Sequence, residues 1–460
     1  MFKYLFLNNK ILIKNINSNL LNNITILFSR FFQISLFLLF IDKELYSLWI
    51  LVISISSFLT FFDLGLINFI GNLLLKSRVR NNFSIYSKYL KIGRSFINYC
   101  SSFIVLLICF FYFFINPSYL GVEEYNSKIF KYVLIFFSIG IIIQFYTGYY
   151  FQILRSFDKM YIATYIFAIT NLIQFLILFI TLYISNDLIT SSIFYNLCFF
   201  INFFLLKKFS NNYKKYFNNY STTYKIKKFF LKKILKGSIS FLFISLNHLM
   251  LNFLPIIMLK KYYSNELLVE FFVYKSFVLY ALQFMNIFYY SYQPEINKLY
   301  YSKNFESFKL SQILNRLILI LCILIFLLYI FSYLFSDLFF YYWTNNQVVL
   351  DFNYLNIFLL FIVIRLLWNY ILNIFQSINY LYITSILYTF FSIIYFIIIV
   401  NFANKLDFLL FSKILLFSEI ILLLFFNIIL IYIKKIEKLI LTIKQLLIIF
   451  ITFALYYINI

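Results

Sequence analysis

Eight ionisable residues lie inside long apolar stretches of the sequence, where a charge is costly and usually has a function. Five are bases, two are acids and one is the single histidine: Arg30, Lys275, Arg316, Arg365, Lys413, Asp63, Glu419 and His248. An ionisable group in the hydrocarbon core of a membrane costs about 2.5–3.5 kcal/mol, so it normally faces a cavity or a partner. Because guanidinium and ammonium groups bind phosphate strongly, the excess of bases favours an anionic passenger.

Two of these bases lie near the middle of their apolar stretches. Arg30 and Arg365 are each about 13 residues into a predicted helix, which is about 20 Å at 1.5 Å per residue. Asp63 reaches the same depth as Arg30, which predicts an Arg30–Asp63 pair between the first two helices. A role of this pair in transport and a purely structural role remain open alternatives.

The other ionisable residues fall into two groups. Lys275, Arg316 and Lys413 lie near predicted helix ends, where we expect long cationic side chains to reach the membrane interface. His248 is close to Asn247 and Asn252, and both a packing role and a proton relay fit it.

Glu419 lies at a similar depth in the last core helix, as the partner of Arg365 or as a proton-binding carboxylate. We predict a substrate-binding and translocation path with these members: Arg30, Asp63, His248, Lys275, Arg365 and Glu419.

The composition predicts the elements that hold these residues. With 63% hydrophobic and only 12% charged residues among 460, most of the surface must face lipid. A helix that spans the membrane needs about 20 apolar residues, and its backbone groups must be satisfied within the segment. The sequence therefore predicts an all-α polytopic membrane protein with twelve helices: 17–41, 46–75, 86–115, 128–152, 161–184, 188–206, 237–259, 270–297, 306–335, 352–376, 380–402 and 408–433.

A basic connector divides these helices into two sets of six. Residues 207–236 contain ten lysines and no acid. The predicted organisation is an N-terminal lobe (1–206), this connector, a C-terminal lobe (237–433) and a basic turn with an apolar tail (434–460). Residues 441–459 are long enough to cross the membrane as an extra helix, and a tail along the inner surface is the open alternative.

The basic residues also predict the orientation. With the N-terminus inside, 28 of the 39 lysines and arginines fall on the cytoplasmic side and six on the outer side, as the positive-inside rule requires. This topology accounts for the net charge of +23, and no predicted soluble domain carries a basic patch that would bind nucleic acid. The short basic N-terminus lacks a cleavage site, so we expect no removed signal peptide.

The sequence lacks the motifs of an enzyme. It contains no GxSxG, Walker or HExxH motif and no paired acids in an outer loop. The four cysteines have neither metal-type nor paired spacing, so we expect no metal, no cofactor and no disulfide. Without a nucleotide site, the energy for transport must come from a gradient or from the passenger.

Two segments carry a resemblance to a known family. FFDLGLINFIGNLLLKSR (Phe61 to Arg78) resembles the end of the second helix in polysaccharide flippases of the MOP superfamily, through Asp63, Leu64, Gly65, Leu66 and Asn68. These are the Wzx-type O-antigen transporters, which are related to MATE exporters and to the lipid II flippase. SYQPEINKLYYSKNFESF (Ser291 to Phe308) is similar to the end of the eighth helix in that family.

The resemblance implies two MATE-like six-helix bundles around a central cationic cavity that opens alternately to each side. It also implies a passenger, an oligosaccharide on undecaprenyl pyrophosphate that moves across the bacterial inner membrane, with membrane lipids and polysaccharide assembly proteins as further partners. A MATE-type drug or cation antiporter is one alternative, but it would need acids in the cavity. A membrane O-antigen polymerase or glycosyltransferase is another, but it would need a larger outer loop.

Overall fold

A computed structural model describes most of the chain, and everything below concerns these residues: 10–63, 65–114, 116–213, 216, 243, 246–247, 249–277, 279–280, 282–283, 307–377, 381–402 and 408–432. Their secondary structure is helical, with no strand among them. The α-helices are α1 (Lys10–Phe40), α2 (Lys43–Leu59), α3 (Leu66–Val79), α4 (Phe83–Phe114), α5 (Ser127–Ser156), α6 (Met160–Ser185), α7 (Leu188–Asn211), α8 (249–262), α9 (265–277), α10 (Ser307–Trp343), α11 (Phe352–Ser377), α12 (Leu381–Phe402) and α13 (Phe408–Tyr432).

The all-α class is confirmed, but the second predicted helix is wrong in one respect. The sequence predicted one helix over 46–75, whereas the structure has α2, a 3-10 turn at Thr60–Asp63 and then α3. The Oδ1 of Asp63 accepts a hydrogen bond from the backbone N–H of Gly65 at 2.7 Å. Gly65 itself has a φ of +64°. An aspartate that binds its own backbone and a left-handed glycine both end a helix.

Eight helical segments of the described chain are long and apolar enough to cross a membrane. They include α2 with its 3-10 turn, α4 to α7, and parts of α1, α10 and α11. Many large apolar side chains on these helices are exposed, among them Leu106, Phe113, Ile184, Phe326 and Tyr333. A water-facing surface would not tolerate this much apolar area, so the protein is a multi-pass membrane protein.

The chain forms two compact units. The N-terminal unit comprises Met1–Phe272 and Phe396–Asn401, and the C-terminal unit comprises Val273–Tyr395 and Phe402–Ile460. The predicted lobe boundaries and the central cavity stay predictions. Most of the predicted connector and the predicted tail at 434–460 lie outside the described residues.

An aromatic cluster forms part of the core of the N-terminal unit. The Trp49 ring lies 4.8 Å from Phe37, 5.0 Å from Phe137 and 5.7 Å from Tyr195, between ring centroids. These residues come from four different helices, so one tryptophan ties α1, α2, α5 and α7 together. Aromatic pairs at such distances each contribute about 0.5–1.5 kcal/mol beyond their buried area.

Candidate functional site

A buried ion pair lies in the C-terminal unit, between α11 and α13. The Nε of Arg365 is 3.8 Å from Oε1 of Glu419, and the two side chains are only 3% and 1% exposed. The indole N–H of Trp368 donates a hydrogen bond to Oε2 of the same carboxylate. Glu419 is therefore the partner of Arg365, which was one of the two roles predicted for it.

Aromatic rings enclose the arginine. The guanidinium of Arg365 lies 5.2 Å from the centroid of Phe361 and 6.0 Å from that of Trp368. Phe361, Arg365 and Trp368 are four and three residues apart, so they share one face of α11. The ring of Tyr388 on α12 packs against Trp368 at 5.6 Å. Cation–π contacts of this kind strengthen when water is excluded.

Lys275 joins this cluster, and the expectation that it reaches the membrane interface is wrong. Its side chain is buried, at 3% exposure, within electrostatic reach of both Arg365 and Glu419. The physical reason is the position of the helix start. The predicted helix began at residue 270, but α9 begins at 265, which places Lys275 more than one turn further from the start of the helix. Lys413, by contrast, is exposed on α13.

The cluster of Lys275, Arg365, Trp368, Tyr388 and Glu419 is rich in donors and cationic charge. Low-dielectric surroundings strengthen the attraction of such groups for an anion, and arginine adds paired hydrogen bonds. Among the described residues, no group of three or more histidine, cysteine or acidic side chains is arranged to hold a metal ion. Two bases against one carboxylate make the cluster better suited to an anionic group than to a cation.

Arg30 and Asp63 both lie in the N-terminal unit. Arg30 is exposed on α1 and lies within electrostatic reach of Tyr195 on α7. The carboxylate of Asp63 accepts the hydrogen bond of the Gly65 turn described above. Their predicted pairing and their predicted role in transport stay predictions, and His248 lies outside the described residues.

Neutral polar groups join the helices of this unit. The hydroxyl of Thr170 lies 2.6 Å from Oδ1 of Asn202, and Nε2 of Gln174 donates to the carbonyl of Tyr195 at 3.0 Å. Asn171 donates to Asn22 at 3.3 Å, which links α6 to α1. Side-chain hydrogen bonds of this kind hold membrane helices together.

Sequence reasoning missed the aromatic members of the buried cluster. Trp368 and Tyr388 were not predicted, because aromatic residues make up 24% of the chain and rarely stand out. The spacing of Phe361, Arg365 and Trp368 on one helical face was the available sign, since a mid-helix arginine needs partners within one or two turns.

Comparison with solved structures identifies the fold. The chain is similar to the lipid II flippase MurJ in its inward closed conformation, with a TM-score of 0.62, 17% identity, and coverage of 97% of this chain and 92% of that one. It is also similar to a point mutant of the Vibrio cholerae MATE transporter VcmN, with a TM-score of 0.63, 13% identity, and coverage of 93% and 97%.

A multidrug resistance MATE family transporter of the MOP superfamily, in an inward-facing conformation, gives a TM-score of 0.62 at 10% identity, with coverage of 94% and 99%. No protein-family model and no curated protein sequence matches the chain. The chain therefore has the fold that MurJ and the MATE transporters share.

Proposed function

We propose that the protein moves an oligosaccharide linked to undecaprenyl pyrophosphate across the bacterial inner membrane by alternating access. The passenger would be an O-antigen-type repeat unit. The observation that carries the proposal is the excess of cationic side chains in the predicted spans, together with the burial of two of them, Lys275 and Arg365, in one cluster. A pyrophosphate group is an anion that such side chains bind well.

The proposal gives the charged residues distinct roles. Cytoplasmic lysines gather the pyrophosphate group at the inner side. Arg365 and Lys275 attract it, or acidic sugars, during passage, while Glu419 holds Arg365 in place. Arg30 and Asp63 are proposed to line the path in the predicted N-terminal lobe, and His248 at the start of the predicted C-terminal lobe. Rocking of one half of the fold against the other then exchanges access, as in other transporters built from repeats.

The lipid tail of the passenger stays in the bilayer, so membrane lipids are direct partners. We also propose that polysaccharide assembly proteins act on either side of the transport step, and that the N-terminus is cytoplasmic. The proposal assigns no catalytic step to this chain.

Replacement of Arg365 tests the proposal. In a strain whose only copy is Arg365→Ala, we expect the surface glycan to disappear while the protein still inserts in the membrane. Lys413→Ala, which removes an exposed base from α13, is the matched control and should export normally. Normal surface glycan in the Arg365→Ala strain would refute the assigned role.

A second variant covers the case in which Arg365→Ala fails to fold. Replacing both members of a buried ion pair with apolar residues is often neutral or stabilising. Arg365→Met combined with Glu419→Leu should therefore insert and fold, but should not export glycan. Export by this double variant would remove the charged pair from the transport path.

A MATE-type drug or cation antiporter is the second candidate function. The observation in its favour is the similarity of fold to a multidrug resistance MATE transporter. Expression in a drug-sensitive strain separates the two candidates: the flippase proposal predicts no gain in drug resistance. A gain of resistance that depends on Glu419, without effect on surface glycan, would favour the antiporter.

A further inference from the structure

A polar cluster at one end of the N-terminal unit joins residues from both sides of the predicted connector. The Nζ of Lys260 on α8 donates to Oγ of Ser47 on α2 at 2.8 Å, and also to Oδ1 of Asn265 on α9. Ser47 in turn donates to the same Asn265 oxygen at 3.2 Å. Lys260 and Ser47 are 213 positions apart, so these bonds link distant parts of the chain.

The loop before α5 completes this cluster. Tyr125 and Asn126 both donate hydrogen bonds to Oε1 of Glu44 on α2. We call the set Glu44, Ser47, Asn126, Lys260 and Asn265 the outer-end cluster, because these residues lie at the ends of helices that the basic-residue pattern places outside.

The same loop touches the backbone of α8. Gly121 has a φ of +76°, and a Cβ atom there would lie 2.2 Å from the carbonyl oxygen of Lys260. Only glycine allows this conformation and this approach. The loop therefore packs against the backbone at Lys260, and its hydrogen bonds to Glu44 hold it against α2.

The cluster holds a charge that has to be either paired or hydrated. Lys260 is 4% exposed, Ser47 is 0% and Asn126 is 2%. Burial of an ammonium group is costly unless hydrogen bonds and charges satisfy it. A half-opened cluster would leave Lys260 with neither water nor its oxygen partners. The cluster is therefore stable when fully closed or fully hydrated, which is the behaviour of a two-state element.

We propose that the outer-end cluster is a latch that keeps α2, the 117–126 loop and the α8–α9 turn together, and that it must break before the passenger leaves on the outer side. The inference rests on the proposed function and on the predicted orientation. The predicted lobes 1–206 and 237–433 place α2 and the loop in one lobe and the α8–α9 turn in the other. Alternating access between these predicted lobes would separate them at the outer end during each cycle.

A cross-link across the latch tests this proposal. In a chain without native cysteines, Ser47→Cys with Asn265→Cys replaces two side chains whose oxygens are 3.2 Å apart. We expect oxidation to abolish export of surface glycan and a reductant to restore it. Undiminished export by the cross-linked protein would overturn the latch.

The chain offers a matched control pair. Ser185 and Thr190 lie in the α6–α7 turn, also predicted to be outside, and their hydroxyl oxygens are 2.8 Å apart. Both precede the connector. Ser185→Cys with Thr190→Cys should therefore cross-link without any loss of export.

A second measurement does not need the passenger. Val122 follows Gly121 and is 2% exposed, so Val122→Cys should react slowly with a membrane-impermeant maleimide applied from outside. Loss of hydrogen bonds to a charged group should raise this rate about tenfold in Lys260→Met. Ser47→Ala, a milder change, should raise it less. Lys261→Met removes the adjacent exposed lysine and should leave it unchanged.

The two readouts separate failure of the latch from failure of the proposed function. Equal labelling in Lys260→Met and Lys261→Met would overturn the latch. A higher rate in Lys260→Met, in a protein whose unaltered form exports no glycan, would support the latch and refute the flippase assignment.

Discussion

The two units of the chain differ in where they bury charge. The C-terminal unit buries Arg365 and Glu419 in the middle of their helices, with Lys275 beside them. In the N-terminal unit, neutral pairs such as Thr170 with Asn202 join the helices, and the charged contacts described for it lie near helix ends. Neutral hydrogen bonds are sufficient to hold membrane helices together. Buried charge is not needed for that purpose, which is why we assign the selection of an anionic passenger to the C-terminal unit.

The largest expected effect is the loss of stability when the buried Arg365–Glu419 ion pair is broken, compared with breaking the more exposed Arg78–Asp158 pair. Glu419→Gln leaves a nearly inaccessible Arg365 without its carboxylate and should lower the free energy of unfolding by about 3–5 kcal/mol. The comparison variant is Asp158→Asn, which breaks the pair with Arg78 in which the side chains are 51% and 29% exposed. Solvent screening limits that loss to about 1 kcal/mol or less. Thermal unfolding of the purified variants in detergent gives both values, and equal losses would contradict the comparison.

An intermediate effect is expected from the neutral pair. Thr170→Val keeps the shape of the side chain but removes the hydroxyl 2.6 Å from Asn202. The buried amide oxygen then lacks this partner, so stability should fall by about 1–3 kcal/mol. Export per folded molecule should stay at the level of the unaltered protein. A loss of export as complete as that of Arg365→Ala would show that the Thr170–Asn202 pair has a role in transport beyond joining helices.

The last expected effect is a pH dependence, and it concerns the charge at the outer end. Lys260 lies one residue beyond the predicted span 237–259, and burial lowers its pKa from 10.5 to about 8, although Glu44 and Glu123 oppose the shift. Between these values the unfolded chain binds a proton that the folded chain has lost, so stability should rise as pH increases from about 8 to 10.5.

The melting temperature of the unaltered protein, relative to that of Lys260→Met, measures this dependence. The difference should grow in favour of the unaltered protein across that pH range and should be constant below it. A difference that shrinks as pH rises would show that the closed cluster retains the proton.

Much of the fold could be predicted because a membrane-spanning chain forms long apolar helices that are separated by short polar turns. The predicted helix 161–184 is found as Met160–Ser185. The next helix begins at Leu188. The side chain of the preceding Asp187 accepts hydrogen bonds from the backbone N–H groups of Ile189 and Thr190. Asparagine and aspartate at such positions mark helix boundaries in the sequence itself.

The break in the second span could not be predicted from apolar periodicity. Apolar residues continue through Phe61, Phe62 and Leu66, so the segment has the composition of one helix. The left-handed φ of Gly65 and the turn made by Asp63 depend on local backbone geometry.

The candidate site was predicted only in part, because depth in the membrane follows from the sequence but the packing of one helix on another does not. The depths of Arg365 and Glu419 followed from helix positions, and the structure then paired them. The burial of Lys275 depends on where α9 starts and how it packs, and helix boundaries are the least certain part of a sequence-based prediction. Ser47 and Lys260 are 213 positions apart, so their contact is formed by folding and could not be predicted from the sequence.

The most direct test is transport by the purified protein in liposomes. A fluorescent oligosaccharide on undecaprenyl pyrophosphate would be placed in the membrane, and the fraction exposed to an external quencher would be followed over time. We predict that the unaltered protein and Lys413→Ala move the lipid between leaflets, whereas Arg365→Ala and the Arg365→Met, Glu419→Leu double variant do not. Equal movement with and without Arg365, or no movement by the unaltered protein while it transports a cationic drug, would contradict the account.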